Sequence, residues 1–539
     1  MNTDNREQTA PPVEKILRVL NPTGRYQILH ILSLMVAIPA TAFQLLSNVF
    51  TAKAVPHRCA GPPQGSNWME VFGDFGNLTV VREECRLVLM ENSNVLDTAP
   101  CAYGIQYELP ENTSVVSQFH LVCAMDWVAR LSQMMLFLGQ GIGAYLTSFF
   151  SDRFGRKTTI VTSNFGLLVC GLIVAFAPDP IIFMIFKFLI GGFQQGVLTV
   201  SVTYFLELLP FEKRSVQPCA LGLVWFFSVI CLALLSFIFQ EWSWRFLQTI
   251  LTLASLTVIF QWWYMDESLM WLMANGRTIE AMKVIRRIAK ANKRYGNLML
   301  DEVQITVRQM VDNAQQGTHS SSQEFEIEAT DLLSLLDLFK VWKLLLNSLC
   351  MWFAWFTTAL AFFTIYLTST SLSGNPYLNF GLTALMELPS IFYIFFFLNR
   401  LGRKLSLKIA FGVMGVGVLL AGNFRSLENE NPEFAVLTLL ASLVAMFGAS
   451  ACFNIIFTYT SEIFPTNFRS QALGISSCIA RIGGMLAPFA GLLAEQAVWA
   501  PGLIICLCSC IVCLLTRFLP ETSGRELPQT ISDLEAWFV

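Results

Sequence analysis

Two ionisable residues stand inside long apolar stretches, where a charge is costly. Glu387 sits just before Pro389, and Arg481 precedes Gly483-Gly484. A charge at the bilayer centre costs at least about 2.5–3.5 kcal/mol and is kept where it meets a partner or a water-filled cavity. Arg481 suits a carboxylate or sulfonate through paired hydrogen bonds. Glu387 suits an ammonium group, or serves as the counter-charge to Arg481 in a structural ion pair. Lys187 is a third buried-cation candidate, facing a pore or snorkelling. Gln195 is a polar candidate, with Gln194, Tyr204, His30 and Gln44 weaker ones. Aromatic residues accompany the charges: Trp225, Phe226 and Phe227, then Trp352, Trp355 and Phe356. Aromatic faces hold rings and attract quaternary ammonium groups. The chemistry is ion binding, and no catalytic constellation is visible. The 4 histidines show no metal-ligand spacing, and no phosphate-cradling Gly-Lys-Ser/Thr loop occurs. Neither a cofactor nor a metal site is expected.

A second set of charges occurs twice. Asp152-Arg153-Phe154-Gly155-Arg156-Lys157 recurs as Asn399-Arg400-Leu401-Gly402-Arg403-Lys404. Glu207, Pro210 and Arg214 recur with the same spacing as Glu462, Pro465 and Arg469, and Asp266-Glu267-Ser268 is echoed by Pro520-Glu521-Thr522. Such clusters can form and break ion pairs as two halves rock, which makes Asp152, Arg153, Arg156, Glu207, Arg214, Arg400, Arg403, Glu462 and Arg469 gating candidates. The second copy carries Asn399 in place of Asp152, so its ion network should be weaker.

The elements that must position these residues are membrane helices. Of 539 residues, 54% are hydrophobic and 14% charged, against about 25% charged in soluble proteins. Runs of about 20 apolar residues mark spans, and twelve are readable. The duplicated signatures divide them six and six, the layout of an alternating-access carrier. The expected organisation is an N-terminal segment 1–25, a six-helix bundle 26–265 with a large loop at 52–127, a linker 266–342, a second bundle 343–518 and a tail 519–539. Most of the 35 Lys and Arg residues fall in segments on one side, which the positive-inside rule makes cytoplasmic, together with both termini.

The loop 52–127 then lies outside, in a surface membrane. Its own chemistry agrees. Cys59, Cys85, Cys101 and Cys123 can form two disulfides with three possible pairings, and Asn77 and Asn112 head glycosylation sequons. The other cysteines lie in apolar runs and read as packing residues. In the linker, Met270, Trp271, Ile279, Met282, Ile285 and Ile288 have helical spacing. Ser320-Ser321-Ser322 offers phosphorylation sites. The tail Trp537-Phe538-Val539 offers a strand to a PDZ-type scaffold. The net charge of -3 and the lack of a basic stripe give no reason to expect nucleic acid; the partners expected are the bilayer and a small organic ion.

Beyond these patterns, the gate signatures resemble those of the major facilitator superfamily. Pro56-His57-Arg58-Cys59, Gln118-Phe119-His120-Leu121-Val122-Cys123, Glu267-Ser268-Leu269-Met270-Trp271-Leu272, Tyr377-Leu378-Asn379-Phe380 and Arg481-Ile482-Gly483 resemble the solute carrier 22 family. The resemblance covers essentially the whole chain. It implies an all-α integral membrane protein of the major facilitator fold, with 12 transmembrane helices in two pseudo-symmetric six-helix halves. It also implies transport of organic cations, anions or zwitterions, and sets Glu387 and Arg481 beside a central cavity. In that family, cation-selective members carry Asp where Arg481 stands, while anion and carnitine-type members carry Arg. Trp355 and Phe356 match a family Trp-Phe pair. Some positions depart from the family pattern: His120 for Asp, Leu269-Met270 for Pro-Arg, Ser148 for Gly, and Ser390 near the place where anion members often carry Lys. The reading is therefore an organic anion or zwitterion carrier. Organic cation transport is one alternative, and a ligand receptor that does not turn over is another.

Overall fold

The computed structural model describes residues 12–21, 23–63, 68–72, 79–91, 94–210, 213, 216–292, 342–428, 431–464 and 469–523. Backbone polar groups have no water partner inside a bilayer, so apolar runs close their hydrogen bonds within helices. Among the described residues, eleven helices are long and apolar enough to cross a membrane: Arg25–Thr51, Cys123–Phe154, Arg156–Ala175, Pro180–Leu208, Val216–Ile238, Trp244–Tyr264, Leu344–Ser369, Pro376–Leu401, Arg403–Leu427, Phe434–Ile463 and Gln471–Ala494. A shorter apolar helix, Ala500–Leu515, stands where the twelfth span is read. They are numbered here as spans one to twelve.

Local chemistry sets several ends and breaks. Asp179 opens the fourth span by accepting from the Ile181 and Ile182 amides at 2.8 and 2.9 Å, with Pro180 in the first turn. Asn375 does the same for the eighth, accepting from Tyr377 and Leu378 at 3.0 and 3.2 Å ahead of the chain's next turn. Such caps satisfy amides that the helix itself cannot. Proline breaks the spans one turn upstream, because it lacks the N–H that the preceding turn needs. Pro39 accounts for the interruption between Met35 and Ile38, and Pro389 for the break at Met386. The second break makes Glu387 the first residue of a new helical segment, Glu387–Leu401. Spans two and four touch backbone to backbone. A Cβ on Gly139 or Gly191 would overlap the carbonyl of Phe188 or Leu136, the small-residue seam that replaces hydrophobic drive within lipid.

The loop between the first two spans folds on its own terms. It carries β1 (His57–Cys59), β2 (Thr79–Arg82), β3 (Arg86–Glu91), β4 (Asn94–Pro100) and β5 (Ile105–Tyr107). β1 pairs antiparallel with β5, and β2-β3-β4 form a meander. Of the three pairings open from sequence, the structure has Cys59–Cys101 and Cys85–Cys123. Among the described strand residues, Leu87, Val88, Leu89 and the disulfide-bonded Cys59 are buried apolar ones, and so small a module relies on such staples.

The linker's amphipathic stretch is two helices, Leu269–Ala274 and Thr278–Ala291, separated by Gly276 at φ 68°. That break shifts the helical phase. The second helix buries Ala281, Val284, Ile285, Ile288 and Ala289, while Ile279, expected on the apolar face, is 76% exposed. Its buried face packs with Ile16, Leu17 and Leu20 of the N-terminal segment and with Trp271 and Leu272. Arg287 pairs with Asp266, and Asn292 accepts from the Tyr26 amide at 3.0 Å, fixing the linker helix beneath the first half. The triple serine 320–322 and the tail 537–539 lie outside the described residues.

The two halves meet at the ends that face the disulfide loop. Phe50 of the first span stacks on Tyr377 with ring centres 5.4 Å apart and meets Phe380 edge-on at 4.9 Å. Phe237 of the fifth span meets Tyr377 at 5.8 Å. Arg130 of the second span donates to the Pro488 carbonyl of the eleventh at 3.4 Å.

Candidate functional site

The duplicated charges build two matching clusters at the ends of the spans opposite the disulfide loop. Arg156 holds Glu207 at 3.0 Å and Asp152 at 2.9 Å. Arg403 holds Glu462 at 2.9 Å and donates to the Asn399 side-chain oxygen at 3.0 Å. Glu267 reaches over from beyond the sixth span to the start of the third, accepting from the Arg156 and Lys157 amides at 2.7 and 3.1 Å. Glu521 repeats this at the start of the ninth, accepting from the Arg403 and Lys404 amides at 2.9 and 3.1 Å. A carboxylate at a helix N-terminus meets unsatisfied amides and the positive end of the dipole. Burial pushes the Glu267 carboxyl up from the ordinary range, while the amides of Ser268, Lys157, Arg156 and Thr158 pull it back. Two tyrosines complete the match: Tyr204 donates to the Asp266 carbonyl at 2.7 Å and Tyr459 to the Pro520 carbonyl at 2.5 Å.

The expected weakening at Asn399 is small in this geometry. The Asp152 side chain is 76% exposed, whereas Arg156 and Glu207 are 13% and 14% exposed. The shielded Arg–Glu pair is common to both clusters, and the charge missing at Asn399 is one that solvent would screen. Arg153 and Arg400 are exposed. Arg214 lies outside the described residues, as does the Arg469 side chain. The sequence pattern marked Glu267 and Glu521 as repeated residues but not as helix caps.

Glu387 and Arg481 do not pair; each has its own partners. Buried Glu387 accepts a hydrogen bond from the Tyr366 hydroxyl of the seventh span, and the Trp225 side chain of the fifth lies beside it. The second contact crosses between the halves. Ser390 donates to the Glu387 carbonyl at 2.7 Å and lies 2.7 Å from Ser450 of the tenth span. Arg481 also crosses between the halves, donating from Nη2 to Gln195 Oε1 of the fourth span at 3.1 Å. Its buried Nε has no acceptor among the described residues. Gly141 of the second span leaves room beside the Arg481 stem. The Phe356 backbone lies directly against Gly483, two residues from Arg481, and the Phe356 side chain is half-buried.

The remaining candidates separate from this pair. Trp355 is buried inside the second half, donating to Thr460 Oγ1 at 3.0 Å and packed edge-on against Phe457. Lys187 is 0% exposed, with Nζ 3.3 Å from Ser47 Oγ and over the Phe183 ring, so it belongs to the interior of the first half. Gln194 bonds to Thr41 and Gln140, Gln44 to Thr252, and His30 to Tyr26 and Asp266. Phe226 is buried and Phe227 exposed. Asn112 is exposed on the loop, and Asn77 lies outside the described residues. Tyr366 carries no sequence signal, standing in an unbroken apolar run.

A membrane protein with two pseudo-symmetric helical halves, duplicated charge clusters at one end and charged side chains between the halves is a major facilitator protein. The family model described as "Sugar (and other) transporter" matches residues 99–532, and the chain belongs to that family. It is similar along its length to Organic anion transporter 3 of Pongo abelii, 29% identical and covering 97% of this chain and 93% of that protein. Solute carrier family 22 member 3 of Rattus norvegicus is 27% identical, covering 97% and 96%. Solute carrier family 22 member 16 of Xenopus laevis is 29% identical, covering 80% and 73%. These relatives bear out the resemblance to the solute carrier 22 family. Among solved structures, the proton:xylose symporter XylE bound to 6-bromo-6-deoxy-D-glucose shares the fold, with TM-score 0.57 and 16% identity, covering 95% of this chain and 99% of that one. A partially occluded inward open form of XylE from E. coli gives 0.59 at 14% identity, covering 91% and 99%.

Proposed function

We propose that the chain is a plasma-membrane carrier that moves small organic ions by alternating access, with organic anions and carnitine-like zwitterions as its favoured cargo. The observation that carries this reading is Arg481. It is a half-buried side chain between the halves, bound by one neutral amide, with a buried N–H that no described residue accepts. A buried donor left unmet is costly, and a cargo carboxylate or sulfonate satisfies it. The names of the relatives similar to this chain, Organic anion transporter 3 among them, support the same choice. In this reading Gln195 orients Arg481, and Phe356 and Trp225 wall the cargo. Glu387 takes an ammonium group or balances charge. Trp355 and Lys187 stiffen the two halves. Asp152, Arg153, Arg156, Glu207, Arg400, Arg403 and Glu462 lock the inner ends of the spans, with both termini cytoplasmic and the disulfide loop outside. The absence of a catalytic constellation in the sequence leaves no enzymatic role in this proposal.

Organic cation transport is the second reading, favoured by Glu387 beside the aromatic rings of Tyr366 and Trp225. Uptake of an anion, a carnitine-like zwitterion and a quaternary ammonium by expressing cells separates the readings. Anion or zwitterion flux that Arg481→Ala abolishes at unchanged surface level is the expected result. Unchanged anion uptake in that variant removes Arg481 from the cargo site. Binding without flux identifies a receptor.

A further inference from the structure

The loop module holds an arrangement that the carrier reading does not use. His57 Nδ1 lies 3.0 Å from the Val55 carbonyl oxygen. A carbonyl only accepts, so Nδ1 carries a proton, and in the neutral ring the lone pair is then on Nε2. Nε2 lies 3.9 Å from Cys85 Sγ and 4.0 Å from Cys123 Sγ. A metal-binding imidazole is held in this way, with its far nitrogen donating to a backbone carbonyl. Both sulfurs are bonded to each other in this structure, so neither can serve as a ligand until that bond opens.

We propose that Cys85–Cys123 is an exchangeable disulfide, and that its reduction by a small thiol creates a zinc site of two thiolates and His57 Nε2. Access favours this bond over the other one. Cys85 is exposed and lines a cavity of about 500 Å³ with His57, Arg58, Arg82, Glu83, Glu84 and Arg86. Arg86 is paired with Glu83, and three guanidinium groups against two carboxylates leave the lining net positive toward an anionic thiol. In the other bond Cys59 is 0% exposed and Cys101 half-buried, so neither of its cysteines is as exposed as Cys85. The exchange balances as follows. A thiolate attacks Cys85 Sγ, the Cys85–Cys123 bond breaks, and the electron pair leaves on Cys123. A second thiolate then removes the first as its disulfide and frees the Cys85 thiolate. Two electrons pass from two thiols to the two cysteines, and the protons are released when zinc binds.

The distances suit zinc. With Zn–S near 2.3 Å and Zn–N near 2.0–2.1 Å, a tetrahedral site sets sulfur and nitrogen about 3.5 Å apart and the two sulfurs about 3.8 Å apart, so the imidazole needs to move by about half an ångström and the freed sulfurs must part from bonding distance. The frame survives the opening, because Cys59–Cys101 still fastens β1, and His57 stays in register with Tyr107 of β5. The fourth position is left to water.

The test uses the full chain in detergent. The 10 free cysteines are first blocked with N-ethylmaleimide, glutathione is added in steps, and newly freed cysteines are mapped by mass. After anaerobic desalting, zinc is titrated against a chromogenic chelator. The expected result is that Cys85 and Cys123 open at a lower glutathione level than Cys59 and Cys101. One zinc ion then binds per reduced chain, and none per oxidised chain. His57→Ala lowers zinc affinity about tenfold or more with the reduction step intact. Should that variant fold poorly, carboxymethylating the freed pair in the unaltered chain must abolish zinc uptake. Cys59–Cys101 opening first, equal zinc uptake before and after reduction, or uptake that survives carboxymethylation overturns the proposal.

Discussion

A charge within the bilayer persists where something meets it, and Tyr366 and Trp225 meet Glu387 while Gln195 meets Arg481. Tyr366→Phe removes a hydrogen bond to a carboxylate and leaves the ring packing in place. Such bonds are worth about 1.5–3 kcal/mol. If Glu387 contacts cargo, the apparent KM for a quaternary ammonium or zwitterion rises about tenfold, while a simple anion is little affected. Saturation uptake with surface-labelled protein measures both. Gln195→Ala should act on the other side, weakening anion uptake and sparing the cation. The two charges were legible in the sequence because a charge in an apolar run is conspicuous. Their partners were not, since Tyr366 and Gln195 meet them only through packing between spans far apart in the chain. For the same reason the choice between an ion pair and two separate sites needed coordinates.

Helix starts, rather than whole helices, carry the duplicated clusters. Gly155 and Gly402 stand at φ 102° and 81° immediately before the third and ninth spans, and a Cβ on either would crowd the carboxylate of Glu267 or Glu521. Gly155→Ala and Gly402→Ala therefore each cost about 1–3 kcal/mol from backbone conformation alone, because ψ of 163° and 165° puts both in a region that only glycine readily adopts, with displacement of the capping carboxylate added. Thermal unfolding in detergent should show similar losses for the two. By contrast, Asp152→Asn should shift stability by about 1 kcal/mol or less, because its side chain is largely exposed. Arg156→Ala should cost about 3 kcal/mol by leaving the shielded Glu207 unpaired. Equal losses for Asp152→Asn and Arg156→Ala would contradict that ranking. The repeat itself was readable because charges at fixed spacing survive in the text of the sequence. The capping role was hidden, because Glu267 reaches the third span from beyond the sixth. The strands of loop 52–127 were hidden too, since short polar segments stapled by disulfides carry little periodicity.

For the whole molecule, contact between the halves decides which side of the cavity is closed. Phe50, Phe237, Tyr377 and Phe380 join the halves next to the disulfide loop, whereas the ion pairs of the duplicated clusters each stay within one half. These aromatic contacts favour closure at the loop side, and each cluster ties together helices of a single half. Tyr377 takes part in two of the three aromatic contacts. An aromatic pair contributes about 0.5–1.5 kcal/mol beyond its buried area, so Tyr377→Ala removes about 1–3 kcal/mol from the loop-closed state. A shift of 1.4 kcal/mol changes a two-state ratio about tenfold. Single cysteines placed at Gly222, near the charge-cluster end of the fifth span, and at Ala233, buried nearer its other end and facing Gly381 of the eighth span, report the balance through a water-soluble thiol reagent in a background whose native free cysteines are removed. Tyr377→Ala should raise labelling at position 233 and lower it at 222, and saturating cargo should oppose the change if cargo draws the halves together. Labelling that rises at both positions would mean that the halves loosen rather than rock, and would separate the aromatic contact from the transport motion.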